Sequence, residues 1–342
     1  WFKLIEFFNM KLNINYSNLL DIINLNFGVY YPLKEFVSKE DFLSIVKKYS
    51  LANGKFFPIP IFINISKSLY ERKKKTKIVK VFYKSKKVCN LIVKSFYKVD
   101  KKKIGKKIFQ TKNTNHPGFC QFLKSGDYFI HCKIKKFNHK IMKNLNFTYP
   151  SKMKSIFLKR RLKTVVGFHT RNVPHRAHEW IHQYGLKKCN GLFIHPLIGQ
   201  FKKKEYKEKA IIKGNLKLIK SIYKNKNVIF GLLNSYPRYA GPREALFHAL
   251  IRKNYGCTHF MLGRDHAGVG KYYTKYESQK LCIKHEKYLK VKIISFKEPY
   301  LCTSCKKVVN KCNHKKNNKV LINGTEIRNL IFSGKKIPDE LM

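Results

Sequence analysis

"KTVVGFHTRNVPHRAHEW", Lys163–Trp180, is the stretch on which the reading of this chain turns. Its first six residues form a short apolar run of the kind that a strand buried on both faces requires. From His175 onward the spacing is that of a helix. Between and across these two elements stand three histidines (His169, His175, His178), two arginines (Arg171, Arg176) and Asn172. A polar cluster where a strand hands over to a helix N-terminus suits an anion, because the free amides and the macrodipole of the first turn already attract phosphate. His175 and His178 are three apart and share one helix face. Two readings stand at this point: a phosphate cradle completed by Arg171, or a chance pair that caps a helix in a chain with 13 histidines.

Working outward, the same alternation recurs. "KTVVGF", "GLFIHPLIG", "NVIFGLL", "THFMLG" and "VKIISF" read as buried parallel strands. Helices are expected at 175–188, 205–224 and 241–256, the last with Pro242 in its first turn and Gly256 as its C-terminal cap. Strand–helix alternation predicts an α/β fold with a doubly wound, Rossmann-like parallel sheet, whose ligands sit at the carboxyl ends of the strands. "FMLGRDHAGVG", Phe260–Gly270, ends another apolar run with Gly263, Arg264, Asp265, His266 and Ala267, followed by glycines whose amides can approach an anion. "GVGK" within it is not a P-loop, since the upstream glycine is missing and Tyr272 stands where Ser or Thr should follow the lysine. Up to about residue 150 the apolar segments are shorter and strand-like, separated by Gly, Pro, Asn and Lys. The expected organisation is a β-rich domain over 1–150 and an α/β domain over 151–342.

Composition bounds the rest. With 73 Lys plus Arg against 19 Asp plus Glu, the formal net charge is +54. Such a balance suggests nucleic acid as a partner. The lysines, however, run the whole length and travel with Asn, Ile, Phe and Tyr, the residues with A- and T-rich codons, so genomic bias explains them better than a selected polyanion-binding surface does. A nucleic-acid-binding module would rest on charge and the N-terminal half alone, and no sequence-specific nucleic-acid partner is expected. At 342 residues and 44% hydrophobic content the chain can fill two cores. No window approaches the run of about 20 apolar residues of a membrane span, and the start shows no cleavage-site pattern, so neither membrane nor secretion is expected. The first residue is Trp1 and the last stretch is "PDELM", which suggests missing terminal residues. Nine cysteines, an odd count in a long chain, fit a reducing cytoplasm better than a disulfide framework.

Three of those cysteines cluster with a histidine in "CTSCKKVVNKCNH". Cys302, Cys305, Cys312 and His314 form a C-x-x-C knuckle followed by Cys-x-His, a set of four ligands suited to a structural Zn2+. Free thiols in a loop are the alternative, and the short gap before Cys312 leaves the fourth ligand open.

Taken together, "FHTRNVPHRAHE", "FIHPLIGQFK", "RYAGPREALFHALIRKNYGCTHFMLGRDHAGVGKYY" and "INGTEIRNLIFSGKKIP" resemble the ATP sulfurylases, the sulfate adenylyltransferases; "GVYYPLKEF" and "LANGKFFPIPIFINIS" are similar to that family's PUA-like N-terminal domain. The resemblance implies adenylyl transfer from MgATP to sulfate, giving adenosine 5′-phosphosulfate and pyrophosphate, run forward in sulfate assimilation or backward to make ATP in sulfur oxidation. It implies a homo-oligomer. It also implies roles: Arg171, the amide of Ala267 and His169 at sulfate; Thr170 and Asn172 ordering the loop and touching nucleotide; His175 and His178 on the phosphates; and Gly263, Arg264, Asp265 and His266 along the nucleotide pocket, with Arg264 also counted catalytic. Sulfate needs no general base to attack the α-phosphorus, so positioning and electrostatics must carry the rate. His195 and Lys202 in "HPLIGQFK" are candidates for which a structural role is equally open. No kinase domain follows within the sequence. His169 departs from the family, which has Gln there, and "KKKEY" is more basic than the family's pattern. An anion beside His169 is expected to favour its imidazolium over the opposition of Arg171, so that the Michaelis constant for sulfate rises from about pH 6 to 8.

Overall fold

The structure, a computed structural model, describes residues 9–199, 205–322 and 324–342. Its organising sheet is fully parallel and is built from the expected apolar runs: β6 (Val165–Phe168), β7 (Gly191–Ile194), β9 (Val228–Phe230), β11 (His259–Leu262) and β12 (Lys292–Ser295). They lie side by side in the order β12-β11-β6-β7-β9. Counted along the chain this is 5-4-1-2-3, so the direction of winding reverses between β6 and β11. Ligands of doubly wound sheets bind at that reversal, outside the carboxyl ends of the strands. Both polar clusters leave the sheet there.

Two of the expected strands break. In "GLFIHPLIG" the chain leaves the sheet at His195–Pro196, and in "NVIFGLL" at Gly231–Leu232; β8 (Leu197–Gly199) and β10 (Leu233–Ser235) then pair parallel as a separate two-stranded sheet. Pro196 has no N–H for a ladder. His195 N–H still reaches Phe168 O at 2.9 Å and Leu197 N–H reaches Thr170 O at 2.8 Å, so these bonds tie the break to the loop after β6.

The N-terminal half holds a mixed sheet, β1 (Asn9–Asn13), β2 (Asn64–Ile65), β3 (Ile78–Tyr83), β4 (Lys86–Tyr97) and β5 (Tyr128–Lys135), in the order β1-β3-β4-β5-β2. It also holds helices at Tyr16–Asn26, Lys39–Lys48, Lys101–Phe109 and Pro117–Lys124, so this half is less purely β than its sequence suggests. "FFPIPIFINIS" contributes only the two residues of β2, since Pro58 and Pro60 cannot donate to a ladder.

One hydrophobic core runs through both halves, from Met10 and Phe42 to Phe193, Phe247 and Phe260. The helix Pro242–Asn254 joins them and is buried along almost its whole length. Arg243 fixes it to the N-terminal half, donating to Ile45 O at 3.0 Å, Pro58 O at 2.8 Å and Val46 O at 3.1 Å. A third unit follows the parallel sheet: an antiparallel trio, β13 (Tyr300–Cys302) between β14 (Lys307–Val309) and β15 (Lys319–Leu321), then the helix Gly324–Phe332.

Candidate active site

A pocket of about 420 Å³ opens at the reversal. From the loop after β6 it is lined by His169, Thr170, Arg171 and Asn172, from the helix Arg176–Leu186 by His178, and from the turn after β11 by Asp265, His266, Ala267, Gly268 and Val269. Thr170 is buried and shapes its own loop: Oγ1 accepts from the Asn172 N–H at 3.1 Å. Ala267 holds a positive φ of 58°, a conformation that costs a residue with a Cβ, and Gly268 N–H closes the turn onto Asp265 O at 3.0 Å. A larger cleft of about 600 Å³ lies between the helix Arg176–Leu186 and the cysteine hairpin, lined by Trp180, Gln183, Lys306 and Glu340 among others, but the titratable groups from both strand ends converge only on the smaller one.

His175 occupies the N-cap position of the helix Arg176–Leu186, yet its side chain makes no capping bond. That disfavours the capping alternative. Its ring stacks on His178 with centroids 3.7 Å apart, and Nδ1 of each ring is buried without a hydrogen-bond partner. Burial alone pushes His175 down to about 4, and burial with the neighbouring His175 and His182 pushes His178 well below the usual histidine range. Two neutral, unsatisfied imidazoles are a cost to the fold that a ligand can offset.

Opposite them, the helix Pro242–Asn254 turns a stripe toward the pocket at intervals of four residues: Glu244 and His248 line it, and Arg252 lies beneath His169. Sequence reasoning missed this stripe. Its signal was three polar residues at i, i+4 and i+8, separated by the apolar run of Ala245, Leu246 and Phe247 and that of Ala249, Leu250 and Ile251. Glu244 accepts from the Arg238 and Ala240 amides at 2.8 and 3.1 Å, and burial outweighs those bonds and raises its carboxyl. His248 Nδ1 lies 3.0 Å from His266 Nε2, and its ring stacks on His169 at 4.1 Å. His169, His248 and His266 each bring a ring nitrogen within 4.8 Å of the others, a spacing a metal could use. Electrostatics argue against a cation there: beyond burial, Arg252 and Arg171 both depress the basicity of His169 and of His266.

The expectation for His169 needs correction. Burial first, then His248, Arg252, His266 and Arg171, hold its ring well below the ordinary histidine range, and Arg252 Nη2 donates to its Nδ1 at 2.7 Å. These neighbours oppose the imidazolium, and so weigh against the expected rise of the sulfate Michaelis constant between about pH 6 and 8.

The remaining candidates fall in other places. Arg264 turns from the lining to pair with Asp265 Oδ2 at 2.7 Å and with Glu298, and Gly263 packs toward Phe296. His195 is wholly buried between Phe193 and Tyr255 with both ring nitrogens unpartnered, away from the lining. Lys202 lies outside the described residues. Glu205, 3.6 Å from Arg171, and Tyr239 also line the pocket and were not foreseen.

The roof comes from the helix Gly324–Phe332 through Gly324, Thr325 and Arg328. A Cβ at Gly324 would lie 2.9 Å from Asn172 Nδ2 and 3.7 Å from His175 Nε2, so a larger residue here would push on the Asn172 amide. Below it, Leu301, Ile322 and Ile327 pack with Ala177 of the histidine helix. The cysteine hairpin is part of the same unit. His314 Nδ1 lies 3.5 Å from Cys302 Sγ and 3.2 Å from Cys305 Sγ, and one ligand atom from each of Cys302, Cys305, Cys312 and His314 falls within 4.8 Å of the rest. Ligand–ligand edges of a tetrahedron with bonds of about 2.0–2.3 Å are roughly 3.3–3.8 Å, so these four residues can hold a metal ion.

Comparison with known proteins agrees with the geometry. The ATP-sulfurylase family profile matches residues 145–342 and a PUA-like domain profile matches residues 6–139. A sulfate adenylyltransferase of Pyrococcus abyssi is 35% identical over 335 residues, 97% of this chain and 87% of the relative. One of Carboxydothermus hydrogenoformans is 34% identical over 341 residues, 97% of this chain and 88% of the relative. Among solved structures, a hexameric APS kinase from Thiobacillus denitrificans superposes on 99% of this chain with a TM-score of 0.71 at 14% identity; this chain spans 62% of that one, and the likeness speaks for the fold alone. With both polar clusters at the reversal of a parallel sheet and with relatives matched along nearly its whole length, the chain belongs to the ATP-sulfurylase family, the sulfate adenylyltransferases.

Proposed function

We propose that the pocket transfers the adenylyl group of MgATP to sulfate, releasing pyrophosphate, with the residues in the following roles. Arg171, the Ala267 amide and the Nε2–H of His169 hold the sulfate. Thr170 and Asn172 keep the loop in shape and touch the nucleotide, which runs along Asp265 and His266 with Gly263 and Arg264 at its edge. His175 and His178 hold the phosphates that leave as pyrophosphate. Mg2+ would travel with ATP and offset the charge of its phosphates. The observation that carries this reading is the convergence of the β6 and β11 loops on one pocket at the sheet's reversal. It supplies donors for two mutually repelling anions and needs no general base.

Several finer points belong to the same reading. The ion in the Cys302, Cys305, Cys312 and His314 set is Zn2+, supported by three soft sulfur donors and one imidazole. The chain works in a reducing compartment, the cytoplasm, supported by nine cysteines of which none is paired in a disulfide. It forms a homo-oligomer, as its family resemblance implies, and residue 150 is where its two domains meet, supported by Pro150 opening a helix between the two sheets. Among the described residues no helix is long and apolar enough to cross a membrane. The test is pyrophosphate release by the purified chain: it should require ATP and sulfate together, and ATP cleavage indifferent to sulfate would refute the assignment.

A further inference from the structure

We propose that Arg252 is a positioning residue for the anion: buried beneath the pocket, it holds His169 in the one tautomer that aims a neutral Nε2–H at sulfate. The proposal rests on the placement of sulfate beside His169 given above.

Arg252 is entirely buried, one of the largest fully buried side chains described. Among the described residues no carboxylate contributes to its environment; only Cys257 and Tyr255 oppose the burial that pushes it down to about 9, and at neutral pH it still carries its charge. Its donors go to His169 Nδ1 at 2.7 Å, His195 O at 2.8 Å and His248 O at 3.4 Å, and Nε has no partner. A guanidinium has no lone pair to offer, so the His169 nitrogen that faces it must be the acceptor. Protonation of that nitrogen would set two donors against each other. The ring proton therefore sits on Nε2, and the assignment follows from chemistry rather than from the choice of a tautomer. Every group that faces the ring works in the same direction: Arg252 and Arg171 are cations, and His248 and His266 are neutral imidazoles at 4.1 and 5.2 Å between ring centroids.

A glycine makes room for this arginine. A Cβ on Gly167 in β6 would stand 2.6 Å from Arg252 Cγ. A buried cation without an acid is costly, and a scaffold residue of similar volume could be apolar. The charge has a use only if an anion lies above it, where its field favours a doubly charged oxyanion. The arrangement also explains the departure at position 169. A glutamine can turn its oxygen to the guanidinium and its N–H to the pocket, which is the same pattern of one acceptor below and one neutral donor above.

The experiment is 15N NMR of the histidine-labelled full chain, with the His169 signal identified by its loss in His169→Gln. From about pH 6 to 8, Nε2 should carry the proton and Nδ1 should not, and added sulfate should shift Nε2 without protonating Nδ1. In Arg252→Met the two tautomers should mix, and the Michaelis constant for sulfate should rise about tenfold while kcat changes less than about threefold. His169→Gln should raise that constant less than His169→Leu does. A proton on Nδ1, or a ring that titrates in this range, overturns the proposal from the wild-type spectrum alone, even if Arg252→Met does not fold. Sulfate that leaves Nε2 unmoved, with sulfate-dependent pyrophosphate release intact, overturns the positioning role and leaves the reaction standing. Loss of sulfate dependence in the wild type overturns the reaction itself.

Discussion

At the scale of the residue, His175 and His178 decide what the opening motif is for. Both are buried, stacked and incompletely hydrogen-bonded, and the His175 side chain does not cap the helix it begins. A buried polar atom without a partner costs the fold its desolvation, and relief of that cost offsets the packing lost with the ring, so truncating either ring should change stability by no more than about 1 kcal/mol. Turnover should fall by two orders of magnitude or more, the scale of a lost transition-state contact of about 3 kcal/mol. Thermal melts and steady-state kinetics of His175→Ala and His178→Ala separate the two effects; a large loss of stability with turnover preserved would return the pair to the scaffold. These residues were legible in the sequence because polar side chains directly after an apolar run stand out. Glu244, His248 and Arg252 were not, since their stripe is diluted by the apolar residues that pack the same helix on its other sides.

Elements carry the next level. The histidine helix, the cysteine hairpin and the helix Gly324–Phe332 share a small core of Ala177, Leu301, Ile322 and Ile327, and the last of these elements places Gly324 against Asn172 and His175. Metal held by the hairpin would therefore steady the roof of the pocket. Purified protein should carry close to one zinc per chain. Cys302→Ser should release it, increase hydrogen exchange in the Gly324–Phe332 helix and weaken ATP binding several-fold, with exchange in the parallel sheet little changed. Metal analysis without zinc, or a variant whose exchange is unaltered, would contradict this coupling. Strand identities were readable from apolar runs, but the breaks at Pro196 and Gly231 blurred into continuous runs because the residues beyond them are buried too. The helices of the N-terminal half were hidden by lysine: in "KKKIGKKIF" Ile104, Ile108 and Phe109 form the buried face, and the charged residues between them resemble a solvated linker.

For the whole molecule, the arrangement of the histidines sets the response to acid. Burial holds His169, His178, His195 and His248 well below the ordinary range, His175 down at about 4, and His182 and His266 at about 3. The unfolded chain binds protons at these rings from about pH 6.5 downward while the folded chain does not. Stability therefore rises with pH across this interval: it is fully present above about pH 6.5 and is lost as pH falls toward about 4. The melting temperature should drop steeply between about pH 7 and pH 5, and a flat profile would contradict the burial of neutral rings. Neighbour order was the part of the fold that periodicity could not supply. The apolar runs identify which segments are strands, but only the packed sheet brings β11 beside β6 and so joins two motifs about 90 residues apart.

That juxtaposition is the central claim, and the most direct measurement of it is pyrophosphate release from ATP by the wild-type chain as sulfate is varied, repeated with Arg171→Ala from the β6 loop and with a backbone ester in place of the Ala267 amide, which removes the N–H of the β11 turn and leaves its positive φ of 58° accessible. The account predicts release that needs both substrates and a sulfate Michaelis constant raised at least about tenfold by either change, because both loops hold one anion. Sulfate-independent release, or an effect confined to one loop, would contradict it.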